Sequence, residues 1–293
     1  MAGIKPGDIV ARRSYGGDIF FKVKAITVTD KGEQTAILRG LDVRLLADAP
    51  LDDLELRPAE QVLRYRHNEI QKYSGRFRRI LQRRELERDL LFRGERSEKT
   101  EEDEQNFFEI PGKVLHIDGD EEYLEKCLHA YKQLNLPAQG YHISEDKQKD
   151  QVTELLKKHT PNILILTGHD GFIKEKGDFT SLDSYRNSKH FAAAVRAARA
   201  LRPSHDDLVI IAGACQSHYE VLIEAGATFA SSPQRVLIHA YDPVFIAERI
   251  AFTSIEKLLT PREIIKDTVT GIEGIGGVEI CGRLRLSYPV SPY

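Results

Sequence analysis

From Pro111 onward the chain alternates short apolar runs with longer stretches whose apolar residues recur at helical spacing. Runs 162–167 and 208–212 are uncharged and rich in Ile, Leu and Val, the pattern of strands buried on both faces of a parallel sheet. Runs 114–117, 138–143, 228–231, 236–240 and 278–286 predict further strands. Helices are predicted over 120–134, 146–159, 185–201, 243–252 and 261–268, and from Cys215 to Ala225. Pro203 stops one of them and Gly226 caps another. Residues 274–277 (Gly-Ile-Gly-Gly) precede no helix at phosphate-loop spacing and read as a turn. Alternation of this kind predicts an α/β fold, a parallel sheet flanked by helices.

The upstream pattern differs. Residues 3–57 carry short apolar runs punctuated by turns at Pro6-Gly7-Asp8, Tyr15-Gly16-Gly17-Asp18 and Asp30-Lys31-Gly32, with a last run at 43–47. That spacing predicts a small SH3-like β-barrel, a binding or packing module. Residues 58–110 crowd arginines from Arg64 to Arg96 and then turn acidic at Glu101-Glu102-Asp103-Glu104. They read as a charged, mostly helical linker whose face is solvated. Three units follow: 1–57, 58–110 and 111–293.

Charge and cysteine usage narrow the function classes. Lys and Arg number 42 against 45 Asp and Glu, so nothing in the whole-chain balance favours nucleic acid or a membrane surface as partner. No apolar run approaches a secretory signal or a membrane span, which makes a reducing cytoplasm the expected compartment. Cys127, Cys215 and Cys281 lie far apart without C-x-x-C spacing, against both a disulfide framework and a thiolate zinc site. No H-E-x-x-H spacing occurs, and no metal or organic cofactor is expected.

The candidate chemistry sits where the two long apolar runs stop. One ends Thr167-Gly168-His169-Asp170-Gly171, the other Gly213-Ala214-Cys215-Gln216-Ser217. Catalytic groups in open α/β sheets collect beyond the carboxyl ends of strands. About 46 positions separate the two residues, room for one crossover unit between neighbouring strands. Cys215 as nucleophile and His169 as its base therefore form the expected pair, with a helix start after Cys215 lowering the thiol pKa. The amides of Gly171 and Cys215 are candidates for the oxyanion hole. His218, three residues past Cys215, is an alternative base or a substrate-side neighbour, and Gln216 and Ser217 are candidate helix caps. Asp170 could orient the histidine, line a substrate pocket or cap a turn, and Asp178, Asp183 and Asp242 are loop candidates for binding a basic substrate side chain; each is also an ordinary turn residue.

The apolar block–His and apolar block–Ala–Cys layout resembles the caspase-like cysteine peptidases. A closer likeness lies in Leu164-x-Leu166-Thr167-Gly168-His169-Asp170, Gly213-Ala214-Cys215-Gln216-Ser217-His218, Ala230-Ser231-Ser232-Pro233 and Pro111-Gly112-Lys113-Val114-Leu115-His116-x-Asp118-Gly119-Asp120. Together with Gly7-Asp8-Ile9-Val10-Ala11-Arg12 near the start, these blocks resemble the YabG family of sporulation-specific proteases. The resemblance implies a thiol endopeptidase of the bacterial mother cell that processes spore coat proteins and cuts after basic residues. Self-cleavage within the arginine-rich linker is a corollary of that preference. Two other classes fit the same chain: a non-catalytic coat-assembly adaptor using the β module, and a glutamine amidotransferase-like amidase, in which His239 would serve as the base.

Overall fold

The computed structural model describes residues 3–28, 32–94, 108–173 and 176–288. Asp30 and Lys31 of one expected turn, Arg96 and the acidic run Glu101–Glu104 lie outside the described residues. The N-terminal unit is an antiparallel sheet of β1 (Ile9–Arg12), β2 (Phe21–Val28), β3 (Gln34–Gly40), β4 (Leu46–Pro50) and β5 (Leu54–Leu56), ordered β4-β3-β2-β1-β5. Val10, Phe21, Val23, Leu38 and Leu54 close its own small core.

A 36-residue helix follows, α1 (Ala59–Gly94). The helix expected over this stretch forms and most of its described residues are exposed, but one stripe of it docks. Ile80 and Tyr73 are buried, and Ile80 belongs to the main core of the following unit. Arg83 and Arg84 each reach the fully buried Glu248 at 2.6 Å, and the Arg84 guanidinium lies 3.3 Å from the Phe252 ring centre. A charge-rich helix can dock when its cations meet a buried carboxylate, and this partner, 165 positions from Arg83, is invisible in local pattern.

The C-terminal unit places β6 (Phe108–Ile110), β7 (Val114–Asp118), α2 (Glu121–Gln133), β8 (Ala138–His142), α3 (Glu145–His159), β9 (Ile163–Thr167), α4 (Ser188–Leu201), β10 (Val209–Ala212), α5 (Tyr219–Glu224), β11 (Phe229–Ser231), α6 (Asp242–Ala251), β12 (Leu258–Leu259), α7 (Pro261–Ile265), β13 (Ile275–Gly277), β14 (Ile280–Cys281) and β15 (Arg285–Ser287) in sequence. Its six-stranded sheet runs β13-β11-β10-β9-β7-β8, parallel except for β13. Ile163, Ile165, Val209 and Ile211 face one core with α2 and α6, while Leu164, Leu166, Ile210 and Ala212 face another with α3 and α4. Burial on both faces explains why these strands carry no polar alternation.

Three of the predicted strands and turns change. Segment 236–240 makes no sheet strand; it forms a single bridge, His239 to Val43 of the N-terminal unit. The sheet position it would take is occupied by residues 275–277, which form an antiparallel edge strand where a turn was expected. A Cβ on Gly277 would fall 2.5 Å from the Thr228 carbonyl, so the glycines permit close strand approach instead of marking a turn. The expected terminal strand 278–286 splits into β14, paired with β12, and β15, paired with β6.

His239 ties these pieces together. Its Nδ1 accepts the Tyr241 amide at 3.1 Å, so Nε2 carries the proton and donates to Tyr73 Oη of α1. Burial pushes its pKa down to about 3, well under the usual histidine range. A depressed histidine stabilises the fold fully above its unfolded pKa of about 6.5, and that contribution is lost as pH falls from there towards 3. Urea unfolding at pH 7 and pH 5 is therefore expected to show a decline of up to about 1.4 kcal/mol per pH unit that His239→Gln removes. Equal slopes for the two proteins would rule this out. The raised pKa values of the buried Asp170 and Asp242 act in the opposite direction and are common to both.

Candidate active site

The chain reverses its direction of travel across the sheet between β7 and β9. After β7 it passes to α2 on one face; after β9 it passes to α4 on the other. Such a switch point opens a crevice beyond the strand ends. Asp120 stands on one side of it and His169 on the other. His169 Nε2 lies 3.0 Å from Asp120 Oδ2, and a carboxylate in that position fixes the proton on Nε2 and leaves Nδ1 as the basic nitrogen. Nδ1 is buried with no hydrogen-bond partner among the described residues.

Asp120 is itself rigidly held. Its Oδ1 caps α2 by accepting the Tyr123 amide at 3.0 Å and faces Arg39 of β3 at 3.4 Å; Lys24 of β2 stands 3.7 Å from Oδ2. Although burial opposes ionisation, the bonds from His169 and Tyr123 and the charge of Arg39 hold the carboxyl far below its ordinary range. One step back, Asp118 accepts Arg44 at 2.6 Å and Thr167 Oγ1 at 2.9 Å, with His116 at 3.3 Å. Arg39 and Arg44 thus seat the N-terminal sheet directly on the carboxyl edge of the parallel sheet.

Glu145 fixes the histidine from the backbone side, its Oε1 accepting the His169 amide at 2.7 Å. The carboxylate fits there because Gly119 and Gly168 leave room: a Cβ on either would fall 2.2 Å from Oε1. Asn187 adds a bond to the His169 carbonyl at 2.8 Å.

Cys215 lies beyond β10, the strand paired in parallel with β9. It shares a core face with Ile163, Ile165, Val209 and Ile211. Its sulfur is fully buried, accepts the Ile238 amide at 3.1 Å and lies 3.8 Å from the Ile238 carbonyl. Burial pushes the thiol up to about 12. The helix expected to begin at Cys215 starts only at Tyr219 and has six residues, so it does not open at the sulfur. No hydrogen bond joins His169 to Cys215 among the described residues. Tyr123 packs against the histidine, its ring centre 5.7 Å from that of His169, and burial raises its hydroxyl well above the usual value.

The remaining candidates divide by what they touch. Asp170 is buried and accepts from the Gly171 and Asn187 amides at 2.9 and 2.8 Å, from Ser217 Oγ at 2.9 Å and from Ser188 Oγ. It knots the histidine loop to the cysteine loop and has no lone pair turned outward for a substrate. The Gly171 amide is engaged by that same carboxylate. Ser217 caps no helix, since its hydroxyl serves Asp170 and accepts the Ala214 amide at 2.9 Å. Asp178 is exposed and closes a turn on Thr180. Asp183 gives its carbonyl to Lys176, and Asp242 is buried beneath the Val269 and Thr270 amides. His218 donates from Nε2 to the Thr180 carbonyl at 3.0 Å and packs against Tyr185, which anchors the 177–186 loop.

Asp120 and Glu145 are the residues missed by sequence reasoning. One signal was present for Asp120: run 114–117 stops at Asp118-Gly119-Asp120, just as run 162–167 stops at Thr167-Gly168-His169. Glu145 reads only as an acidic residue beside a helix start. Among the described residues no His, Cys, Asp and Glu cluster could hold a metal ion, and no helix is long and apolar enough to cross a membrane.

The family described as YabG peptidase U57 matches residues 5–289. The sporulation-specific protease YabG of Bacillus subtilis (strain 168) is 44% identical over 288 residues, covering 97% of each chain. Spanning the N-terminal sheet, the docked helix and the crevice alike, the match shows that this chain belongs to the YabG peptidase family U57.

Proposed function

We propose that this protein is a cysteine endopeptidase of sporulation in which Cys215 attacks the peptide carbonyl and His169 transfers the proton. The observation that carries this reading is the Asp120–His169 couple, its carboxylate buried, beside Cys215 just beyond the adjacent parallel strand. Asp120 holds the imidazole in the tautomer whose Nδ1 can accept a proton, the orienting role a third residue plays in such sites. In the arrangement described, Ile238 covers the sulfur, so attack requires segment 236–240 to move aside and the thiol to meet His169. The Cys215 amide is the remaining oxyanion donor of the two expected, because Gly171 is engaged by Asp170.

The substrates are spore coat proteins in the mother cell, cut after lysine or arginine, with self-cleavage in the arginine-rich linker following from the same preference. The backbone and carboxylate bonds of Asp170 and Asp178 favour structural roles for both, so recognition of a basic side chain falls to other carboxylates. The amidase reading has no support in geometry: both ring nitrogens of His239 are engaged, by Tyr73 and Tyr241. Sequencing the new termini formed when purified protein meets a coat-protein extract tests the proposal. Lys or Arg should precede each cut, and His239→Ala should cut at the same sites. Cuts after other residue types would overturn the specificity, and cuts lost with His239→Ala in a folded protein would favour the amidase-type base.

A further inference from the structure

Two cavities flank Gln216, the residue after the candidate nucleophile. One, of about 470 Å³, lies between the N-terminal sheet and the α/β unit, its inner wall formed by Gly171, Phe172 and Leu237 and its outer wall by Leu46, Ala47 and Asp48. The other, of about 690 Å³, continues past Phe172 and Gln216 to Phe179 and Arg235. Phe172 and Gln216 line both and are joined where the Phe172 amide donates to Gln216 Oε1 at 3.4 Å. Gln216 holds a left-handed φ of 55°, which turns the chain sharply between the two spaces.

The outer wall has a directional property. Three consecutive residues of β4 line the first cavity, whereas a sheet face would present every second one. The cavity therefore runs along the strand's edge. β4 ends the order β4-β3-β2-β1-β5, and among the described strands none pairs with its outer side. The Gly40 amide bonds the Leu45 carbonyl at 2.9 Å, which makes Gly40 and Leu45 a hydrogen-bonded pair. Alternation then makes Leu38 and Ala47 the next such pair and turns the backbone groups of Leu46 and Asp48 away from β3. Of these outward groups the Asp48 carbonyl meets Arg12 Nη1, at a long 3.5 Å. Such an edge offers amides and carbonyls to an extended chain.

We infer that the groove between β4 and the α/β unit, passing Gln216, receives an extended segment of a polypeptide substrate that pairs with the outer edge of β4. The N-terminal unit is thereby one wall of the substrate site. This assignment rests on the peptidase reading above and adds where the chain lies. Charge at the groove fits a cationic side chain. Asp18 lines it and is exposed, with no cation paired to it among the described residues. Arg12 is already tied to Asp53 at 2.8 Å, and the exposed Arg186–Asp48 pair at 3.7 Å is weak enough to open.

Binding separates this inference from the chemistry. Fluorescein-labelled casein, an unfolded polypeptide, is titrated with the full-length Cys215→Ala protein and followed by anisotropy. Asp48→Pro removes an outward amide without breaking the ladder to β3, and Asp18→Lys reverses the charge. Each is expected to weaken binding about tenfold or more, with an unchanged melting temperature confirming the fold. Binding within twofold of the parent for both variants, or no binding by the parent, would overturn the inference. Cleavage retained by Cys215→Ala would instead sink the thiol mechanism and leave the groove standing.

Discussion

Replacing His169 by alanine is expected to lower peptide-bond hydrolysis about a thousandfold or more, with Cys215→Ala falling at least as far. A positioned general base contributes roughly 10²–10⁴ to rate, and a nucleophile and base that act as a unit fail together. The geometry adds a graded companion. Asp120→Asn keeps a group able to reach His169 Nε2 at 3.0 Å but removes the charge that fixes the proton there. Its amide can present oxygen or nitrogen to the ring, so the tautomer is no longer dictated. Loss of that control in a related triad costs about 10⁴, which sets the scale for an intermediate or severe defect here. Steady-state cleavage of a fluorogenic peptide by each purified variant checks this. A His169→Ala protein that retains more than about a tenth of wild-type kcat/KM would remove the histidine from the mechanism.

The second large effect concerns the thiol before substrate arrives. With burial pushing Cys215 up to about 12, the thiolate fraction at pH 8 is about a thousandfold lower than for an ordinary cysteine. Ile238 also blocks the approach of a reagent, since its amide sits 3.1 Å from the sulfur. Iodoacetamide is therefore expected to modify Cys281, which is partly exposed, at least about a hundredfold faster than Cys215 in the native protein. Cys127, buried and likewise pushed up to about 12, should share the protection. In urea the three should react at similar rates. Mass mapping of the alkylated peptides over time gives the comparison directly. Native Cys215 reacting as fast as Cys281 would show that segment 236–240 does not shield it.

That shielding has an identifiable cause in the fold. The Arg44 amide donates to the Ile238 carbonyl at 2.8 Å, and the Ala240 amide donates to the Asp42 carbonyl at 2.8 Å. The N-terminal unit thus grips the segment that covers Cys215, and Tyr73 of α1 grips His239 within it. Residues expected to form separate units converge on one sulfur.

Local pattern made some of this legible and hid the rest. The uncharged runs ending at His169 and Cys215 do form adjacent parallel strands, because burial on both faces leaves an unbroken apolar signature. Helix α4 begins at Ser188, three residues later than its apolar pattern suggested, because Asp170 holds the Asn187 amide and the Ser188 hydroxyl at that end. Segment 236–240 has strand-like composition yet joins no sheet, since its partners come from residues 42–44, nearly 200 positions upstream. The docking of α1 was hidden for the same reason: an arginine facing solvent and one facing Glu248 look alike in sequence. Long-range ion pairs such as Arg44–Asp118 and Arg39–Asp120 carry no local period at all.

The most direct test of the mechanism is to identify the atom that a substrate-like electrophile captures. A peptidyl chloromethyl ketone ending in arginine is incubated with the full-length protein, and the modified residue is mapped by mass spectrometry. The adduct should sit on Cys215, form far more slowly in His169→Ala, and abolish cleavage in step with its formation. An adduct on any other residue that blocks cleavage, or full cleavage persisting once Cys215 is modified, would contradict the thiol mechanism.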